Sequence, residues 1–151
     1  MIASEDWIEA KEAIAASTEE SSVYIGADSI RYKRKNGQWW AKYSVVVILH
    51  TDSKRGCRLF HKSYDEPDYG GLKQRLLNEV NYAVSCATEM IDVIGDRPWA
   101  IHLDINPDPK HKSSVAVKEA LGWVKGALGV DAVIKPASFA ATHAADHVVR
   151  H

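Results

Sequence analysis

The sequence predicts an α/β protein: a mixed five-stranded sheet of order 3-2-1-4-5, flanked by helices, with an extra helix at the N-terminus. Three observations carry this reading. Residues 22–64 hold three β-rich runs separated by turn signals. From residue 71 onward, segments of helical period alternate with short apolar runs. Two strand-like runs, Val23 to Ser29 and Ala100 to Pro107, each carry one carboxylate, Asp28 and Asp104, late in an otherwise apolar path. An ionised carboxylate on a buried strand is costly unless something positive sits beside it.

The elements follow in order. Residues 4–16 read as a helix, with Ser4 as its cap and Glu5 and Asp6 in the first turn, where the helix dipole favours negative charge. Trp7, Ile8, Ala10 and Ile14 make its weak apolar stripe, and residues 17–22 are a polar linker. We therefore divide the chain into an N-terminal helix and linker, 1–21, and an α/β domain, 22–151. The first strand spans 22–33. Asn36-Gly37 signals a hairpin turn with positive φ at both central residues. A second strand at 39–50 and a third at 57–64 complete an antiparallel meander. A long helix at 71–94 repeats Leu72, Leu76, Val80, Ala83, Ala87, Met90, Ile91 and Ile94 on one face, with Glu79 beside Val80, off the stripe's centre. Gly95 to Pro98 stops it. A fourth strand at 99–105, a helix at 114–128, a short strand at 132–135 and a last helix from about 138 carrying His143, Asp146 and His147 finish the chain.

This order has a geometric consequence. Strands 3 and 1 hold the edges of the meander. A right-handed crossover through the long helix sets strand 4 parallel to strand 1, and strand 5 adds outside it. Connections then leave strands 1 and 4 in opposite directions, and the crevice at their carboxyl ends is where open α/β sheets bind ligands. Asp28 and Asp104 sit at that crevice on strands about 4.8 Å apart. Carboxylates so close repel unless a cation is shared. Glu79 and Asp146 are the further acids within reach, and four carboxylates suit a hard cation such as Mg²⁺ or Mn²⁺.

Composition narrows the alternatives. The chain has 151 residues, 46% hydrophobic and 26% charged, which suits one soluble globular domain. Nineteen basic and twenty acidic residues give a formal charge of -1, so no global charge points to nucleic acid. Cys57 and Cys86 form no CxxC, which favours a reduced, cytoplasmic setting over a disulfide framework. No run is apolar enough for a membrane span, and no membrane partner is expected.

The matching pieces are Tyr24-Ile25-Gly26-Ala27-Asp28-Ser29, Arg75-Leu76 with Glu79, His102-Leu103-Asp104-Ile105-Asn106, Gly122-Trp123-Val124, Lys135-Pro136 and Ala145-Asp146. On these the chain resembles the ribonuclease H-like superfamily, and within it the YkuK-type RNase H-like nucleases, over about residues 22–150. The resemblance implies a metal-dependent nuclease acting on RNA/DNA hybrid, RNA or branched DNA. Its acidic set maps onto Asp28, Glu79, Asp104 and Asp146 around two Mg²⁺ or Mn²⁺ ions. It implies Asp28 as the bridge, Asp146 on the ion that activates water, and Glu79 and Asp104 on the ion at the leaving 3′ oxygen. His143 or His147 would assist proton or product release. Ser29, Asn106, Lys110, Lys112 and Lys135 are expected to contact nucleic acid. Proofreading-type exonucleases carry Asp-x-Glu on the first strand, whereas Ile30 stands two after Asp28. An acid on the first long helix fits RNase H or a Holliday-junction resolvase better.

Other readings stay open. His143 and His147, four apart, share a helix face and suit zinc, although no third ligand is evident. Arg31, Lys33, Arg34 and Lys35 form a basic hairpin arm that a plain solvated face explains equally well. One of Trp39 and Trp40, if exposed, is placed to stack on a base. A non-catalytic module that binds nucleic acid or assembles with partners is the alternative to an enzyme.

Overall fold

The computed structural model describes residues 7–53, 56–105 and 108–135. Helix α1 (Ile8–Ala16) leads to strand β1 (Ser22–Lys33), β2 (Trp39–His50), β3 (Cys57–Pro67), the long helix α2 (Leu72–Ile94), β4 (Trp99–Leu103) and α3 (Val117–Leu128). The sheet has order β3-β2-β1-β4, antiparallel within the meander and parallel between β1 and β4. This is the expected order for its first four members.

Strand alternation divides the sheet. Val23, Ile25 and Ala27 of β1, Ala41, Tyr43, Val45 and Val47 of β2, and Ile101, Leu103 and Ile105 at β4 join one buried cluster. The apolar face of α2, with Leu76, Val80, Ala83, Ala87, Met90 and Ile94, packs into that cluster, as do Ala116, Ala120 and Val124 around α3. The intervening residues, among them Gly26, Asp28, Ser44, His102 and Asp104, belong to the other set of the pleat.

Several expectations are corrected. The predicted fifth strand at 132–135 is not formed as a strand among the described residues. Val133 makes a single parallel bridge with His102. Backbone hydrogen bonds from Leu103 N to Val133 O (2.8 Å), Val133 N to Ile101 O (2.8 Å) and Lys135 N to Ile105 O (3.0 Å) hold the segment in place. β4 itself ends at Leu103, short of the expected 105, so little ladder remains to pair with. β3 runs on to Pro67 rather than stopping at 64. The turn between β1 and β2 is not the two-residue form. Residues 34–38 make a five-residue loop in which Gly37 N bonds Arg34 O, Arg34 N bonds Gln38 O, and only Gly37 takes positive φ (85°). The helix expected at 114–128 begins as a 3-10 turn, Lys112–Ala116, before α3.

α1 buries Trp7, Ala10 and Ile14 in the same core, while Ile8, expected on that stripe, is exposed. Ser4, Glu5 and Asp6 lie outside the described residues. The segment after α1 is tied down by Arg97. Its guanidinium donates to Ser17 O (2.7 Å), Thr18 O (3.1 Å) and Ser17 Oγ (3.2 Å), and to the α2 carbonyls of Val93 (3.0 Å) and Ile94 (3.2 Å). A cation at that position also meets the negative end of the helix dipole. Cys57 is exposed and Cys86 buried, and they are not bonded to each other. Among the described residues no helix is long and apolar enough to cross a membrane.

Candidate active site

The parallel register between β1 and β4 runs from Val23↔Trp99 to Ala27↔Leu103. One residue further on each chain stand Asp28 and Asp104, at the point where the two strands part. Asp28 is 8% exposed and Asp104 half-buried. Gly26 and Ala27 put no bulky side chain before Asp28, and the apolar run Trp99 to Leu103 drives β4 into the core up to Asp104.

Glu79 enters from α2, on the cluster side of the sheet. It is 5% exposed, although the sequence places it off the centre of the apolar stripe. Ser29 follows Asp28 and alternates to the α2 side. Its hydroxyl donates to Glu79 Oε2 at 2.5 Å, and its backbone N–H donates to Asp28 Oδ1 at 2.8 Å. One residue thus links the two carboxylates.

Electrostatics shows that the three acids share a neighbourhood. Burial first, then the charge of Asp28, pushes the Glu79 carboxyl well above the ordinary carboxylate range. Asp104 adds to the rise, while the Ser29 hydrogen bond and Arg75 oppose it. Asp104 Oδ1 lies 2.6 Å from Lys135 Nζ. Lys135, expected on nucleic acid, is thus Asp104's counter-ion, carried there by the segment docked along β4. Across from Asp28 in the β1–β2 register, the Ser44 hydroxyl is buried without a hydrogen-bond partner among the described residues.

These observations test the donor set for a cation. Carboxylate oxygens are the donors Mg²⁺ and Mn²⁺ prefer, the repulsion on Glu79 is the kind that a cation relieves, and an ammonium already sits against Asp104. Chemically the residues fit. Among the described residues, however, no three carboxylate, histidine or cysteine side chains are gathered closely enough to hold an ion. Asp28 and Asp104 come from one face of the pleat and Glu79 from the other.

Asp146, His143, His147, Asn106 and Pro136 lie outside the described residues. Lys110 is exposed in the loop after β4, where its N bonds Asp108 Oδ1 at 3.0 Å, and Lys112 is exposed at the first residue of the 3-10 turn. His102 is buried. It packs edge-on against Tyr24 with ring centroids 5.4 Å apart, and burial lowers its pKa.

Sequence reasoning missed Asp68. Its buried carboxylate takes Arg31 Nε at 2.6 Å and lies 3.8 Å from Arg75 Nη1. It ties the hairpin to the start of the helix that carries Glu79. A Pro-Asp-Tyr-Gly-Gly loop reads as a turn, and nothing local marks its Asp as a buried ion-pair partner.

Comparison with known proteins agrees at the level of the family. No curated protein matches the chain. Among solved structures, the protease–reverse transcriptase of prototype foamy virus aligns at 10% identity with a TM-score of 0.43. That alignment covers 87% of this chain and 20% of the viral one, so the chain spans about a fifth of its length; a likeness this loose carries no argument. The Ribonuclease H-like family model matches residues 8–150, a span that takes in every helix and strand described above. The chain belongs to the Ribonuclease H-like family.

Proposed function

We propose that the protein is a divalent-metal-dependent nuclease that hydrolyses phosphodiester bonds endonucleolytically, of the YkuK type within its family. The observation that carries the reading is Glu79. A carboxylate buried on α2 beside Asp28 and Asp104 has no packing advantage over an apolar residue, and it acquires a purpose if a cation is held there.

In this reading Asp28, Glu79, Asp104 and Asp146 would hold two Mg²⁺ or Mn²⁺ ions. Bound there, the ions supply charge neutralisation for the attacking and leaving oxygens and acidify a bound water. The chain's own groups do the rest. Ser29 fixes the Glu79 carboxylate through its hydroxyl and Asp28 through its N–H. Lys135 balances the charge of Asp104, and its ammonium would be available to the phosphate backbone. Asn106, Lys110 and Lys112 follow β4 and would contact the backbone without reading sequence. His143 would shuttle the proton or assist product release. The substrate is RNA/DNA hybrid, RNA or branched DNA, in a cytoplasmic setting. Residues 1–21 are an N-terminal addition to the domain at 22–151, anchored through Trp7, Ile14 and Arg97.

The test is Mn²⁺-dependent cleavage of labelled hybrid, single-stranded and branched substrates, with Asp104→Asn as control. Cleavage by the wild type that disappears in the variant is expected. Activity that persists in the variant belongs to another site or a contaminant. Binding without cleavage of any substrate favours a non-catalytic module instead.

A further inference from the structure

The β1–β2 hairpin carries a cluster that the carboxylate site does not use. β1 continues five residues past Asp28 to Lys33, about 17 Å at ~3.3 Å per residue. Along this arm lie Arg31, Lys33, Arg34 and Lys35, with Trp39 and Trp40 at the start of β2. The Arg31 guanidinium is 4.2 Å from the centroid of the Trp39 ring and the Lys33 ammonium 5.8 Å from the same ring. The Arg34 guanidinium lies 3.3 Å from the Trp40 centroid. Tyr69 is 84% exposed, and its hydroxyl receives a 3.4 Å hydrogen bond from Gln38 Nε2, which sets a bare aromatic ring beside the hairpin turn. Arg31, held by Asp68, fastens the base of the arm to the body.

A basic run that is only solvated leaves its side chains free in water. Here three of four cations rest on indoles. Stacking restricts their rotamers in advance, so less entropy is lost when a phosphate arrives. A stacked guanidinium still turns its N–H edge outward. Among the described residues, Lys33, Arg34 and Lys35 have no carboxylate partner, in contrast to Arg31. Phosphates are the ligands such a comb matches, and an exposed tyrosine ring stacks only on a base that is not already paired.

We propose that the hairpin is a binding arm for a single nucleic-acid strand that enters or leaves the carboxylate site, with Lys33, Arg34 and Lys35 on its phosphates and Tyr69 stacked on a base. The inference rests on the nuclease reading for the path of the strand. At ~3.4 Å per stacked nucleotide, the arm spans about five nucleotides.

The experiment is fluorescence anisotropy of a labelled oligo-dT strand with the full chain in EDTA, where binding is read without cleavage, over a range of salt. K33Q/R34Q/K35Q should bind at least roughly tenfold more weakly. Its log–log salt slope should fall by about 2, since each phosphate contact on a single strand contributes ~0.7. K33R/K35R should bind as the wild type. Tyr69→Ala should lose roughly fivefold or more with an unchanged slope, and Tyr69→Phe should not. Wild-type affinity in the triple glutamine variant overturns the arm, as does equal affinity of the wild type for polyglutamate or for phosphatidylserine vesicles. If no substrate is ever cleaved yet arm-dependent binding persists, the nuclease reading fails and the arm stands. If the wild type cleaves and the triple variant matches it in KM as well as affinity, the arm alone fails.

Discussion

The hydroxyl of Ser29 donates to Oε2 of Glu79 at 2.5 Å, joining the first strand of the sheet to its longest helix at the one place where that helix buries a charge. The bond favours the ionised carboxylate, while burial and Asp28 oppose it, and the opposition wins.

That balance predicts how stability depends on pH without a divalent ion. The folded pKa of Glu79 is raised above its unfolded value. Its contribution to stability is therefore fully present below the unfolded pKa and is lost as pH rises through the folded one. Glu79→Gln removes this loss. In EDTA near neutral pH the variant should be more stable than the wild type. Urea unfolding across pH reads the difference; a variant less stable than wild type in EDTA contradicts it.

Lys135 provides a second check. In EDTA, Lys135→Met should destabilise by about 1 kcal/mol or less, because the pair with Asp104 is partly exposed. Millimolar Mn²⁺ should restore more stability to the variant than to the wild type, since the variant lacks the ammonium that competes for Asp104. Equal Mn²⁺ shifts in thermal melting would falsify the counter-ion role.

Arg97 closes the N-terminal segment onto the domain. Arg97→Ala removes side-chain hydrogen bonds to Ser17, Thr18, Val93 and Ile94. A loss of about 2 kcal/mol is expected, within the range for hydrogen bonds to charged groups. A urea midpoint unchanged from wild type would show that Arg97 does not hold α1, leaving its packing and the Lys11–Glu89 ion pair (3.0 Å) to do so.

Much of this architecture is readable from residue patterns. The meander follows from alternating runs and turn residues, and the parallel placement of β4 from the handedness of its crossover. Those two steps alone bring Asp28 and Asp104 together. Glu79 is harder. Beside Val80, but off the stripe, it reads as a boundary residue, and only the packing of α2 over β1 buries it. The segment 132–135 has the composition of a strand, but its partner ends too early. Asp68 is invisible locally, because its importance comes from Arg31 and Arg75, which lie far off or on another element. The turn at 34–38 carries the Asn-Gly signal but uses it in a longer loop, since Arg34 and Gln38 close the ring outside it.

The most direct test of the account is the anomalous difference map of a crystal soaked in Mn²⁺. The account predicts two peaks about 3.5–4 Å apart, with Asp28 at both, Glu79 and Asp104 at one and Asp146 at the other. Well-occupied Mn²⁺ elsewhere, or none at millimolar concentration with Lys135 still seated on Asp104, would contradict it.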